Sequence, residues 1–327
     1  MMSKITKKNL LSAFKKYHLK NKESIQLVNN RIDDLPVSSN PNLLINGDFQ
    51  VWQRGDSITI TSSKYTADRW ISPYVSQLTV SKQTSTYGNV LRVVSNKSGD
   101  SAWLYQPIEN FDYLVGKTIT VSFMIRGINS FSGSMTSRTG TSGAKNINIT
   151  SEWQKVQYTT VVQNNTGAGL THTRGVLIAT LQANLPNVGQ GYEIAQVKLE
   201  LGSVATPFVP RTYAEELSEC QRYYQKITSY RDFFIGRTHA VNSTFVMNLK
   251  LSIPMRISPT ISSGKTKFVL FGEWEKTFDN KDIVFNAMPT GSLTSNEIDI
   301  SENPFQTGYS ILNGYFLEDV YLDAEIY

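Results

Sequence analysis

The sequence predicts a mainly β protein, in the order N-terminal helix, β-jelly-roll sandwich, linking helix and second, smaller β-sandwich. Three observations predict it. The hydrophobic spacing changes from a period of three and a half to a period of two after residue 41. Charged residues make up 18% of the chain, against roughly 25% in an average soluble protein, and Ser, Thr, Asn and Gln take their place. Short alternating runs are separated by polar turn clusters, without helical patterns between them.

Residues 1–35 carry the helical pattern. Leu11, Phe14, His18, Asn21, Ile25, Val28, Ile32 and Leu35 recur at alternating spacings of three and four. So narrow a stripe predicts a short coiled coil, and hence an oligomerisation and anchoring segment. An amphipathic helix docked on a partner is the plainer alternative. Asn21 on the seam would fix register and strand number at some cost in stability. The seam residues do not themselves set the number of strands; a homotrimer is the expectation. Lys4, Lys7, Lys8, Lys15, Lys16, Lys20 and Lys22 all precede the first acid, Glu23, and exceed the chain's net charge of +5. A nucleic-acid footprint spreads over a folded surface with aromatics interleaved. These lysines are confined to one segment whose aromatics sit on the apolar stripe, so they read as the solvated face of a protein-docking helix.

Pro36-Val37-Ser38-Ser39-Asn40-Pro41 ends the helix as a linker (36–41). Residues 42–210 then alternate. Thr118–Ile125, Lys155–Val162 and Glu193–Leu201 are the cleanest strands. Shorter ones fall at Leu43–Val51, Ile58–Thr61, Leu78–Lys82, Leu91–Ser95, Ala102–Gln106 and Val176–Leu181. About ten antiparallel strands in this length fit a jelly roll.

Residues 211–228 read as the linking helix. Thr212 can cap it, with Glu215 as the capping-box partner, and Leu217, Cys220, Tyr224 and Ile227 share a face. Cys220 reads as a small buried apolar residue. From 229 to 327 alternation returns at Thr244–Ile253, Lys267–Trp274, Ile283–Asn286 and Tyr315–Tyr327, the smaller sandwich.

Enzyme chemistry has little to work with. The three histidines, His18, His172 and His239, lack metal-site spacing, and the single cysteine cannot supplement them or form an internal disulfide. There is no phosphate-binding glycine loop, no dinucleotide fingerprint and no nucleophile elbow. No cofactor or metal is expected. One acid pair remains: Glu273 and Glu275 flank Trp274 and would share a face in a strand, as a two-carboxylate glycosidase needs. A solvated strand end beside a core Trp is the plainer reading, and Glu152 beside Trp153 is read the same way. No apolar run reaches the length of a membrane span, and no secretory leader is read at the start.

Sugar recognition asks for less: an exposed ring to stack on a pyranose face and polar groups for its hydroxyls. Trp52, Trp70, Trp103 and Trp153 lie in or beside strands and are expected mostly in the core. Tyr74, Tyr87 and Tyr309, in turn-rich segments, and Trp274 are the candidate glycan contacts.

Asn42-Leu43-Leu44-Ile45-Asn46-Gly47-Asp48-Phe49, then Val51-Trp52-Gln53-Arg54-Gly55 and Tyr65-Thr66-Ala67-Asp68-Arg69-Trp70, resemble the opening of a domain common in tail and fibre proteins of tailed bacteriophages. Glu152-Trp153-Gln154-Lys155-Val156 fits its interior. Gln196–Arg211, followed by Tyr213–Leu217 and Cys220–Tyr224, resembles its close, and Pro254–Thr260 with Leu322–Ile326 the piece that often follows. The resemblance covers most of 42–327. It implies a jelly roll similar to carbohydrate-binding modules, on an oligomeric appendage assembled in the host cytoplasm and located in the virion. Other virion proteins, met through the N-terminal helix, and host-surface glycan are the implied partners. A head fibre or tail connector without glycan binding is the second expectation, and a polysaccharide depolymerase the third. Some such modules hold a structural calcium near the first strand. Asp48 falls there without a full ligand set, so no metal is expected.

Overall fold

The computed structural model describes residues 12, 15–24, 26, 39–72, 77–99, 102–140, 142–164, 175–181, 187–228, 233–239, 244–247, 249–251, 253–261, 265–270, 274–279, 285–288, 292–295, 311–316 and 319–325. Contacts divide the chain into two compact units, Met1–Ser39 and Asn40–Tyr327. In the first, residues 15–24 form a helix, α1, exposed along its length. His18 and Asn21 lie on it. The other seam residues, Leu11, Phe14, Ile25, Val28, Ile32 and Leu35, fall outside the described residues.

The second unit opens with β1 (Ser57–Ile60), β2 (Lys64–Tyr65), β3 (Ile71–Ser72), β4 (Leu78–Ser85), β5 (Gly88–Ser95) and β6 (Trp103–Pro107). There follow β7 (Thr118–Ile128), β8 (Gly133–Thr139), β9 (Ser142–Ile149), β10 (Gln154–Val161), β11 (Gly175–Leu181) and β12 (Gly191–Leu201). Two six-stranded sheets result, ordered β1-β4-β5-β12-β7-β10 and β2-β3-β6-β11-β8-β9. The chain passes back and forth between them, which makes the sandwich a jelly roll.

Alternation builds the core. Along β7, Ile119, Val121, Phe123 and Ile125 point inward and are buried. Their register with β10 sets Val156 opposite Phe123 and Tyr158 opposite Val121 on the same face. Burial of each such side chain is worth about 1.5–3 kcal/mol. Trp70 is fully buried against Phe49, ring centroids 5.2 Å apart, and its Nε1 donates to Asn46 O at 2.8 Å.

Three parts of the sandwich differ from expectation. Leu43–Val51 is a loop, not a strand. Asn46 and Phe49 take left-handed backbone (φ 55° each), and the Asn46 amide is spent on Val51 O and Asp68 O at 2.8 and 3.0 Å. Gly47 is needed where this loop meets β12, because a Cβ there would lie 2.2 Å from Val197 O. The β8–β9 hairpin was not expected. It is built from Ser, Thr, Asn and Gly, with Met135, Ile147 and Ile149 buried on its inner side. β12 carries a bulge: its register to β7 shifts between Ala195 and Lys198, with Gln196 at φ 52°.

The linking helix, α2, spans Tyr213–Gln221 and starts with the expected Thr212–Glu215 capping box. It ends earlier than expected. Tyr224–Ile227 is a strand, β13, paired with Val320–Asp323. Tyr224 and Ile227 satisfy a helical stripe equally well, but here they bury against a strand nearly a hundred residues downstream. Cys220 is fully buried, and burial pushes its thiol well above the ordinary range.

Beyond β13 come β14 (Phe233–His239), β15 (Thr244–Met247), β16 (Leu249–Lys250), β17 (Thr260–Ile261), β18 (Lys265–Leu270) and β19 (Trp274–Asp279). β20 (Phe285–Met288), β21 (Ser292–Ser295), β22 (Ile311–Phe316) and β23 (Val320–Asp323) complete the chain. They form sheets β13-β23-β17, β15-β14-β22-β18-β19 and β16-β21-β20. The run Thr244–Ile253 divides between two of them. Lys267–Trp274 is not one strand either: it holds most of β18 and the first residue of β19, which pair with Leu270 opposite Trp274. Tyr315–Tyr327 likewise splits, between β22 and β23.

Buried charges join β23 to the jelly roll. Arg69 pairs with Glu325 and donates to Pro107 O at 2.8 Å. Arg54 meets Glu325, Asp323 and Asp68 at 3.4, 3.6 and 3.7 Å, and stacks over Tyr224 at 3.5 Å.

Candidate functional site

The outer face of the first sheet carries a row of charge set by strand register. Arg92 on β5, Glu193 on β12 and Arg126 on β7 are direct cross-strand partners. Their chain neighbours Leu91, Val93, Tyr192, Ile194 and Ile125 face the core, so alternation turns these three outward. Arg92 Nε donates to Glu193 Oε1 at 2.7 Å and Arg126 Nε to Oε2 at 2.8 Å. The Glu193 side chain is 2% exposed beneath arginine side chains that are 37% and 35% exposed.

Two aromatic rings extend the row. Arg126 lies 5.0 Å from the ring centroid of Trp153, which precedes β10. Tyr87, from the β4–β5 turn, meets Trp153 edge-on at 5.2 Å with an interplanar angle of 65°. Ser85 Oγ accepts from Tyr87 N at 3.0 Å, and Gln196 Nε2, at the β12 bulge, donates to Tyr87 O at 3.4 Å. Both rings are half-buried. The bulge and the turn thus hold two rings beside two forked cations on one face.

The other end of β12 on this face is closed. Lys198 and Glu200 are buried as an ion pair at 3.4 Å. Lys198 Nζ also donates to Thr206 Oγ1 and Pro207 O at 2.6 and 3.0 Å, while Thr206 N donates to Glu200 at 2.9 Å. The strap 203–207 is thereby fastened over that end, and the Arg92–Arg126 end is left to solvent.

The outer face of the second sheet has a different character. Trp103 packs half-buried on Tyr65, Ile71 and Tyr105. The β8–β9 hairpin presents Thr136–Asn146 and Ser134–Asn148 side-chain pairs at 3.1 and 3.4 Å. Arg138 Nε is buried without a hydrogen-bond partner among the described residues.

Of the glycan candidates, Tyr87 stands in the aromatic–guanidinium group. Tyr74 and Tyr309 lie outside the described residues, as does Glu273. Trp274 opens β19 and Glu275 follows it, opposite Val269, but their side chains are not described. Trp153 was expected in the core with the other strand tryptophans. It is half-exposed beside Tyr87, whereas Trp52 and Trp70 are buried. Arg92, Glu193 and Arg126 were not singled out. Their signal was an arginine inside each of two apolar strands, Val90–Val94 and Phe123–Ile128.

Asp48, the residue at the place where the resemblance implies calcium, has one other carboxylate, Glu216, close to it. Asp48 Oδ1 is buried without a hydrogen-bond partner among the described residues, and burial raises the carboxyl's pKa. The neighbouring carboxylate, Glu216, is already taken by Asn46 N and by Arg211 at 3.1 Å. Among the described residues no three His, Cys, Asp or Glu side chains group to hold a metal, and no helix is long and apolar enough to cross a membrane.

No family model and no curated protein matches the chain significantly. Among solved structures, a CBM61 module in complex with β-1,4-galactotriose is similar at 14% identity and TM-score 0.31, over 50% of this chain and 99% of that one. The CBM22-1 xylan-binding domain of Paenibacillus barcinonensis Xyn10C is 12% identical at TM-score 0.29, over 52% and 100%. The N-terminal cellulose-binding domain of Cellulomonas fimi β-1,4-glucanase C is 14% identical at TM-score 0.29, over 48% and 94%. Scores this low carry no argument; the jelly-roll assignment stands on the strand order above.

Proposed function

We propose that this chain is a non-catalytic glycan-binding protein, carried as a fibre-type appendage on the virion of a tailed bacteriophage. The observation behind glycan binding is the Tyr87–Trp153–Arg126 group on the open end of the first sheet. Half-exposed rings offer a sugar its stacking surface, and guanidinium donors suit its oxygens. The virion setting rests on the sequence resemblance over 42–327, and attachment to other virion proteins on the helix with its heptad stripe. The non-catalytic reading rests on the scarcity of histidine and cysteine and the lack of a phosphate loop.

A glycan array probed with the full chain and with Trp153→Ala tests the adhesive part. Binding to a host-type polysaccharide that the variant loses supports it. Silence of the intact chain across the array would leave a purely structural role. That second reading has its own support, because the resemblance residues Asn46, Trp52, Asp68, Arg69 and Trp70 are buried architecture.

A further inference from the structure

We infer that the glycan taken by the Tyr87–Trp153 face is anionic, carrying the carboxylate of a uronic acid. The inference rests on the glycan-binding reading and names its ligand class. Arg92 and Arg126 bring two positive charges to the row, and Glu193 returns one. Lys155, exposed on β10, and Glu152, exposed before Trp153, offset each other, so the face keeps a net positive charge.

The geometry is as telling as the sum. Glu193 lies underneath and engages each arginine from the sheet side. Arg126 spends Nε on Glu193, and its two terminal nitrogens make no hydrogen bond among the described residues. Guanidinium donors match a carboxylate in a planar, two-point fork. These lie beside Trp153, where a pyranose ring would stack, so the charge of a hexuronate would fall within their reach. A neutral sugar would use the ring and leave the charge unanswered. Glu193 meanwhile keeps the two cations from repelling each other and holds them in register with the ring.

Titration calorimetry of the full chain with tetragalacturonate, and with its carboxyl-reduced neutral counterpart, tests this. The uronate should bind at least tenfold tighter at 50 mM salt, and the gap should narrow at 500 mM as screening sets in. Arg126→Gln should remove the preference, so that the uronate and its neutral counterpart bind alike. Because that change weakens support for a buried carboxylate, Glu193→Gln provides an independent arm. It keeps the shape and removes the offsetting charge, so the ratio of uronate to neutral affinity should rise, and a ratio that falls would overturn the charge argument. Equal binding of the two tetrasaccharides would overturn the anionic preference and leave glycan binding standing. Binding of the uronate that survives Trp153→Ala and Arg126→Gln would overturn this face as the site. Binding of neither tetrasaccharide, with a silent array, would overturn the glycan reading itself.

Discussion

Arg69 and Glu325 form a buried ion pair across 256 residues of sequence, tying the β2–β3 loop to the segment after β23. Arg69 takes left-handed backbone (φ 72°) and lies flat against Tyr223, its guanidinium 3.6 Å from the ring centroid. Glu325 also receives Arg54 at 3.4 Å. One carboxylate therefore serves two arginines that have almost no access to water. Such a pair adds little relative to a well-packed apolar one, but losing one partner strands the other. Glu325→Ala should destabilise the Asn40–Tyr327 unit by about 3–5 kcal/mol. Urea unfolding followed by tryptophan fluorescence would measure this. A loss under about 1 kcal/mol, the scale of an exposed pair, would mean that water reaches the cluster.

Asp68 belongs to the same cluster and gives it a pH dependence. Burial raises its pKa to about 6; Arg54 and the Gln53 hydrogen bonds pull the other way without cancelling the rise. A carboxyl whose folded pKa lies above its unfolded value favours folding when protonated. Its contribution is complete below about pH 4 and is lost as pH rises through about 6. Relative to Asp68→Asn, the wild-type chain should lose stability between pH 4 and 7, by up to ~3 kcal/mol for a two-unit shift. Denaturant midpoints for both proteins across that range would show it. Parallel pH profiles would place the Asp68 titration near its ordinary value.

How much of this was legible depends on where the information lies. β7 was plain because Thr118–Ile125 alternates with large apolar residues on every inward position. The β8–β9 hairpin was hidden because its inward positions include Ser137 and Thr139, so polarity alternates hardly at all. Helix α2 was legible at its capped start and not at its end, since Tyr224 and Ile227 fit a helical stripe and a strand alike. Only the distant partner Val320–Asp323 decides between them. The candidate site divides the same way. Tyr87 could be flagged locally as an aromatic in a turn. Arg92, Glu193 and Arg126 meet through the register of three strands spread over about a hundred residues, which local pattern does not encode. The Arg69–Glu325 tie lies furthest beyond reach of the sequence alone.

Gly47 tests the junction of the opening loop with β12. Val197 N donates to Gly47 O at 2.8 Å, and a Cβ at 47 would press on Val197 O and on Asn42 Nδ2, at 2.2 and 2.6 Å. The amide could move only by giving up its own hydrogen bond to Val197 O at 2.9 Å, and that carbonyl belongs to the backbone of β12. Gly47→Ala should therefore cost about 2–4 kcal/mol, well above a surface substitution. The control is Gly55→Ala, where no atom lies within 4 Å of the added carbon and only the backbone angle (φ 107°) opposes it. Thermal melts of both variants compare them, and a loss at 47 no larger than that at 55 would mean that the opening loop shifts to relieve the crowding, since Gly47 does not take left-handed backbone.

The cap of α2 offers a smaller and more local effect. Thr212 Oγ1 accepts from Glu215 N at 3.4 Å, and Glu215 Oε2 accepts from Thr212 N at 2.9 Å and from its hydroxyl at 2.8 Å. The Thr212 hydrogen bonds hold the Glu215 carboxyl below its usual pKa. Thr212→Ala removes the hydroxyl and leaves a helix N–H without its side-chain acceptor, which should cost about 1 kcal/mol. Thr212→Ser, which keeps the oxygen, should recover most of it. The helix is short and exposed on its N-terminal side, so the loss should also appear as faster amide hydrogen exchange in Tyr213–Gln221. Exchange that quickens equally in β7 and β10 would show that α2 opens only with the whole unit, not as a locally fraying segment.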